Sequence, residues 1–390
     1  MDITRKLWAT NKMNKKAKVI WWVVGLVIII GIVLWIVLDN AASAKTIKIG
    51  FIGPLTGDGA IYGEPFQKTV ELAVSEINAT GGIDGKQIQI IYEDGKCDGQ
   101  DGASAAQKLV SVDGVQAIIG GLCSGETIPA VPIAAAGKVV MLSDASSPKL
   151  TGISPYFFRD YPSDDSQGKV LADAAYNTKH WRTVAILQEQ TDYAAGVADA
   201  FSQEFQKLGG KIINEQYVTD TTDFRSSLLK LKSQNPDALF LDPNGTADAP
   251  IILEQMSVLQ WSPPLLVNDS VATDAKTVSA DATALEGALT AQFVPNTSNP
   301  KFQHLLSAYK AKYGIDLASQ DYGQAEYDAV YLLADGIRAV GYNGTALAKW
   351  SRTITNWQGA SGAITIDANG DRVGGHVLEV IHNGALQSAQ

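Results

Sequence analysis

The chain has 390 residues, of which 46% are hydrophobic and 18% charged, and its formal net charge is −10 at neutral pH. Residues 1–44 hold six of the 31 basic and two of the 41 acidic residues, so the remainder carries 25 basic against 39 acidic side chains, a formal charge of −14. That acidity excludes a nucleic-acid partner or an anionic membrane surface for the folded part.

At the N-terminus Arg5, Lys6, Lys12, Lys15, Lys16 and Lys18 precede the uncharged run VIWWVVGLVIIIGIVLWIVL (19–38). Twenty apolar residues at about 1.5 Å each span roughly 30 Å, the thickness of a bilayer's hydrocarbon core. The basic flank predicts that residues 1–18 stay in the cytoplasm and that everything after Asp39 is exported. The run is longer than a signal core of about 7–15 residues, which favours an uncleaved anchor in the cell membrane. Ala42-Ser43-Ala44 also fits a signal-peptidase site, so a secreted or periplasmic chain cleaved after Ala44 is the alternative.

About 345 exported residues exceed what one core usually holds, which predicts two domains. Strands are expected at 46–55, 86–94, 115–121 and 138–143, with helices at 64–79, 103–111 and 126–137 between them. After an extended stretch, SPYFFRDYPSDD (154–165), the pattern restarts with strands at 182–189, 211–219, 237–242 and 264–269. A second extended segment (288–297) leads into helices at 302–314 and 322–341, and 362–384 reads as a hairpin around the Asn369-Gly370 turn signal. Repeated βα units imply an α/β fold of two doubly wound parallel-sheet lobes. The expected lobes are 45–163 plus 294–361 and 164–293 plus 362–390, joined by a hinge of several crossings.

Enzymatic signatures are absent. No G-x-G-x-x-G opens a helix directly after a strand, and no G-x-x-x-x-G-K-[ST] occurs. The four histidines stand singly, so no metal or other cofactor is expected, and no catalysis. The only two cysteines, Cys97 and Cys123, read as one disulfide in an oxidising exterior, with two unpaired buried thiols as the alternative. Cys123 precedes Ser124 in GGLCSGET, where a strand end followed by a helix offers N–H groups and a hydroxyl to an anion. Ligands of open α/β sheets gather beyond the strands' carboxyl ends. There the first lobe carries Tyr62, Ser124, Ala145, Ser146 and Ser147, and the second Tyr193 and Asp269, which follows a strand and suits an ammonium group. Helix capping for Ser124, Ser147 and Asp269, and surface packing for the two tyrosines, are the competing explanations.

Over residues 46–384 the chain resembles the leucine/isoleucine/valine-binding proteins, type I solute-binding proteins of ABC importers. The likeness rests on IKIGFIGPLTGDGAIYGEP (47–65), AVSEINATGGIDGKQIQIIYEDGKCD (73–98), IIGGLCSGET (118–127), MLSDASSPKLT (141–151), FFRDYPSDDSQG (157–168) and the Tyr193 region. It implies the type I periplasmic-binding-protein fold and a Cys97–Cys123 disulfide. Ser124, the Ala145 backbone and Ser146 or Ser147 would hold the α-carboxylate of a bound amino acid, with Tyr62 and Tyr193 lining the cleft. Asp269 would receive the α-ammonium, and Tyr322 would lie near the side-chain pocket. The chain departs from the family in its shorter acid at Asp269, the polar strand end LDPNGT (241–246), Asp144 in place of an apolar residue or proline, and a loop at 144–148 one residue short. These departures leave polar amino acids, amides and urea-like solutes open. The expected function is a monomeric extracytoplasmic receptor that delivers a small amino acid or related solute to an ABC permease and its ATPase. A membrane-tethered sensor acting through a partner receptor is the alternative.

Overall fold

The computed structural model describes residues 21–22, 24–31, 46–57 and 59–389. The expected cytoplasmic segment 1–18, the possible cleavage site at Ala44 and about half of the apolar run 19–38 lie outside those residues. Trp21, Trp22 and residues 24–31 are helical with exposed apolar side chains, and among the described residues no helix is long and apolar enough to cross a membrane.

The first sheet is parallel throughout. Its strands β1 (Thr46–Gly53), β2 (Gln87–Asp94), β3 (Ala117–Ile119), β4 (Val140–Ser143) and β5 (Phe157–Arg159) lie in the order β2-β1-β3-β4-β5. Every residue of β3, β4 and β5 is buried, as strands covered by helices on both faces require. Helices α1 (Ala60–Ala79), α2 (Gly99–Lys108) and α3 (Ser124–Ala136) are the crossovers. One face packs Val70, Ala73 and Ile77 of α1, and the other packs Ala105, Ala106, Ala130 and Ala134.

The second sheet repeats the same order. After α4 (Asp164–Asp173) come β6 (Thr183–Glu189), α5 (Asp192–Lys207), β7 (Lys211–Tyr217), α6 (Arg225–Lys232), β8 (Ala238–Asp242), α7 (Asp248–Val258) and β9 (Leu265–Val267). The short helices α8 (Asp269–Thr273) and α9 (Ala275–Ala280) then lead to β10 (Leu289–Gln292). The parallel strands run β7-β6-β8-β9-β10, which reproduces the first lobe's 2-1-3-4-5 winding. Leu171 and Ala172 of α4 and Ala175 just after it join this sheet's core, whereas Phe302, Leu305, Val330, Leu333, Leu347 and Ile364 join the first. Those later residues belong to α10 (Pro300–Tyr313), α11 (Gln320–Val340), α12 (Gly344–Ser351) and β12 (Gly362–Ile364), which pairs with β11 (Trp357–Gly359). The chain therefore passes between the sheets near 160–164, 293–299 and 367–376.

The C-terminal hairpin differs from the expectation. Asn369-Gly370 forms a turn flanked only by the single bridge Ile366–Arg372. The paired strands are instead β13 (Val377–His382) and β14 (Ala385–Ser388), joined at Asn383-Gly384, whose φ values of 51° and 72° suit a two-residue hairpin. Strand β13 also pairs antiparallel with β10, so the second sheet is mixed rather than wholly parallel. Both Asn-Gly pairs satisfy the turn rule; only the second lies between segments that reach a sheet edge.

Candidate functional site

In a 2-1-3-4-5 sheet the winding reverses between the first and third strands, and the loops leaving those two strands splay apart to open a crevice. Here both crevices face each other. The chain leaving β1 and β3, through the first turns of α1 and α3, supplies Tyr62, Leu122, Cys123 and Ser124, and the ends of β6 and β8 with the segments that follow supply Glu189, Thr191, Tyr193, Asn244 and Thr246, around one cavity of about 690 Å³. That volume lies within the roughly 300–1,000 Å³ of small-molecule sites. The cavity is bridged: the Tyr62 hydroxyl accepts the Thr246 N–H at 2.9 Å, and Ser147 Oγ donates to the Asp192 carbonyl at 3.4 Å.

Cys97 and Cys123 are joined by a disulfide, with Cα atoms 5.0 Å apart, and both line the cavity. A second tie holds the same two loops. Glu126, fully buried in the first turn of α3, accepts the N–H groups of Leu122 (2.8 Å), Cys123 (3.1 Å) and Cys97 (3.0 Å). Gly95 and Gly121 make room for it, because a Cβ there would stand 2.3 Å from Glu126 Oε2 and 2.6 Å from Cγ. Burial outweighs the three N–H donors and pushes the Glu126 carboxyl up to about 7.

The hydroxyl-rich loop after β4 divides its residues between two layers. Ser124 and Ser146 line the cavity. Behind them, Ala145 N–H donates to Ser143 Oγ at 3.0 Å, and the Ala145 and Ser147 carbonyls accept from the Arg159 guanidinium at 3.2 and 2.9 Å. Ser147 N–H donates to Ser124 Oγ at 3.2 Å. Arg159 is itself fully buried, with its Nε 2.7 Å from Asp371.

Asp269 opens α8, completely buried, one layer behind the cavity wall. Three tyrosine hydroxyls donate to its carboxylate: Tyr161 at 3.1 Å, Tyr322 at 3.0 Å and Tyr193 in a short bond. Tyr161 and Tyr322 stack face to face with ring centroids 4.3 Å apart. Tyr193 and Tyr322 also face the cavity, so their phenol oxygens stand between it and Asp269. The surroundings are acidic. Burial first, and then the Asp269 charge, raise the carboxyl of Asp164, and burial pushes that of Asp321 up to about 7. Burial also holds His376 near 4 and therefore neutral.

The eight expected ligand-binding residues thus gather around one cavity in two layers, with Tyr62, Ser124, Ser146, Tyr193 and Tyr322 on the wall and Ala145, Ser147 and Asp269 behind it. Sequence reasoning missed Glu126, Arg159 and Tyr161. The acid inside the GGLCSGET run is the one local signal available, since the carboxylate partners of Arg159 and Tyr161 lie 212 and 108 residues away.

Residues 46–380 match the family model described as periplasmic binding protein. The Leu/Ile/Val-binding protein homolog 1 of Brucella suis biovar 1 is 28% identical over 364 residues, covering 91% of this chain and 96% of that protein. A leucine-binding protein from Thermotoga maritima superposes with a TM-score of 0.80 at 27% identity, covering 88% of this chain and 98% of that one. The branched-chain amino acid transporter substrate-binding protein of Streptococcus pneumoniae, solved with isoleucine, gives 0.78 at 29% identity and 89% and 99% coverage. With two facing 2-1-3-4-5 sheets and a family match running through both, this chain belongs to the periplasmic binding protein family.

Proposed function

We propose that the protein is the extracytoplasmic solute-binding component of an ABC importer, capturing a small amino acid or amino-acid-like solute between its two sheets and delivering it to a permease. The observation that carries this reading is the single cavity at the facing switch points, spanned by Tyr62 and Thr246. A solute that touches both walls stabilises the closed form by its differential affinity for that form. The names of the relatives, which bind leucine, isoleucine or valine, support the amino-acid class.

In this reading the α-carboxylate meets Ser124, Ser146 and the N-terminus of α3, where N–H groups and the helix dipole favour an anion. Ala145 and Ser147 act from behind by fixing the loop. The α-ammonium donates to the phenol oxygens of Tyr193 and Tyr322, whose protons are committed to Asp269, so the Asp269 charge reaches the ligand through them. Tyr62 closes the cleft. The lobes would comprise 45–163 with 294–366 and 164–293 with 377–390, the third crossing at 367–376 and not at the expected 361–362 because Ile364 and Ile366 pack into the first core, and a helix over 19–38 would hold them beside the permease. No catalysis and no cofactor enter this scheme.

Isothermal titration of the purified protein against the amino acids and their amides tests the proposal. Saturable one-to-one binding of at least one of them is expected; a folded protein that binds none would remove the ligand class. Asp269→Ala should abolish amino-acid binding, and an unchanged affinity would remove Asp269 from the site.

A further inference from the structure

The cavity is polarised, and this bears on which solute fills it. Its first-sheet wall offers the donors of Ser124 and Ser146 and one carboxylate, Asp98, which is engaged in capping α2 through the Gln100 and Asp101 N–H groups, whereas its second-sheet wall carries three, Glu189, Asp220 and Asp248. Among the described residues none of these three carboxylates takes part in an ion pair. Glu189 is 5% exposed and accepts the Asn244 N–H at 2.6 Å and the Thr219 hydroxyl at 2.8 Å, both neutral donors. One Asp248 oxygen accepts the Tyr217 hydroxyl at 2.9 Å, and Asp220 is exposed. Beneath the same strand ends Asp242, fully buried, leaves one carboxylate oxygen with no protein partner. Among the described residues the only basic one in the lining is Lys96, on the opposite wall, and its ammonium lies 3.5 Å from Asp101.

We infer that the second-sheet wall selects an amino-acid-like solute carrying a second cationic group, an ammonium or a guanidinium, which Glu189 and Asp248 receive. This rests on the solute-binding reading above and deepens it. An aliphatic side chain in the cleft would strip water from the half-buried Asp248 and leave the already buried Glu189 with no counter-charge, and a desolvated, unpaired carboxylate is costly. A cationic side chain supplies that counter-charge and can donate several hydrogen bonds at once. Burial, and after it the Asp248 and Asp220 charges, raise the Glu189 carboxyl above its ordinary value against the opposing hydrogen bonds from Asn244 and Thr219, and a bound cation offsets that destabilisation of the charged form. The formal charge of −14 after residue 44 also draws cations toward the cleft over distances of a Debye length.

The test titrates the full chain with L-arginine, L-lysine, L-leucine, L-glutamine and L-glutamate. Arginine or lysine is expected to bind at least about tenfold tighter than leucine or glutamine, with glutamate weakest. Glu189→Gln keeps one acceptor for the Asn244 N–H and turns an amide donor toward the Thr219 hydroxyl, and Asp248→Asn keeps an acceptor for Tyr217; each should weaken the cationic ligand about tenfold relative to leucine. If leucine or glutamine binds tightest, this inference falls and the solute-binding function stands. If the folded protein binds none of the five or any other amino acid, the underlying reading falls first and takes this one with it.

Discussion

Tyr62 and Thr246 lie 184 residues apart and meet across the cleft, where the tyrosine hydroxyl accepts the threonine N–H at 2.9 Å. The bond joins the first helix after β1 to the loop after β8. It stabilises the closed arrangement and not the fold of either sheet, and Gly245 lets it form, since a Cβ there would stand 3.1 Å from the hydroxyl. Tyr62→Phe keeps the ring and deletes the acceptor. A single neutral hydrogen bond contributes about 0.5–1.5 kcal/mol, so affinity for the tightest-binding amino acid should fall roughly threefold to tenfold with the urea midpoint unchanged. Titration calorimetry together with urea melts checks this; a shifted midpoint would show that the bond serves the fold.

Glu126 makes stability depend on pH with a defined sign. Its carboxyl stands near 7 in the folded protein against an ordinary 4.5, so between those values the folded state holds more protons than the unfolded. The contribution of this group is fully present below about pH 4.5 and is lost as pH rises through about 7. Other buried carboxyls, Asp164 and Asp321 among them, share this sign. Glu126→Gln isolates one group: its unfolding free energy should fall less steeply with pH than wild type across 4.5–7, the difference being at most about 1.4 kcal/mol per pH unit. Urea melts at three pH values give the slopes, and equal slopes would show that Glu126 does not titrate in this window.

The disulfide and Glu126 hold the same two loops. Closing a loop with a sequence separation of 26 stabilises by roughly 3–4 kcal/mol in the chain-entropy picture. Glu126 holds the Cys97 and Cys123 backbones independently, so the reduced protein should remain folded at neutral pH and bind ligand more weakly, because both half-cystines line the cavity. Removing both ties should cost more than the sum of the separate losses. In a cycle of Cys97→Ser/Cys123→Ser with Glu126→Gln the coupling should be about 0.5–3 kcal/mol. Strict additivity, read from urea melts of the four proteins, would mean that the ties act on separate structures.

The parallel sheets are legible in the sequence because each central strand is a short apolar run followed by small or hydroxyl residues, as at VQAIIGG and KVVMLS. The cleft residues are legible for a related reason, since loops leaving parallel strands lie at one end of the sheet whatever their sequence. The layering is not legible. Ser146 and Ser147 are adjacent and chemically identical, yet one faces the cavity and the other turns its carbonyl to Arg159, a partner chosen by tertiary packing. Asp269 likewise reads as a cleft carboxylate, and only the fold brings the hydroxyls of Tyr161, Tyr193 and Tyr322 onto it, with the last two on the cavity side. The polarity of the second wall is partly visible in LDPNGT, and the place of Glu189 at the carboxyl end of a strand puts it near the cleft, but nothing local marks it as a buried carboxylate without a cationic partner.

Arg159 ties the crossover to the cavity wall. Its side chain reaches Asp371 at 2.7 Å, the Ala145 and Ser147 carbonyls at 3.2 and 2.9 Å and Thr151 Oγ1 at 2.8 Å, while its backbone N–H donates to Gly370 at 2.9 Å. One guanidinium thus links the loop carrying Ser146 to the third passage of the chain between the sheets. Arg159→Met fills much of the same volume but leaves two buried carbonyls without their donor and Asp371 with the Thr151 hydroxyl and no counter-charge. Breaking a buried pair in this way costs about 3–5 kcal/mol. Arg159→Lys keeps the charge but cannot form the fork, so it should lie between wild type and methionine in stability. Asp371→Asn, on the more exposed side of the pair, should cost less than either arginine variant. Urea melts rank the four proteins, and a methionine variant as stable as wild type would mean that water replaces the guanidinium at those carbonyls.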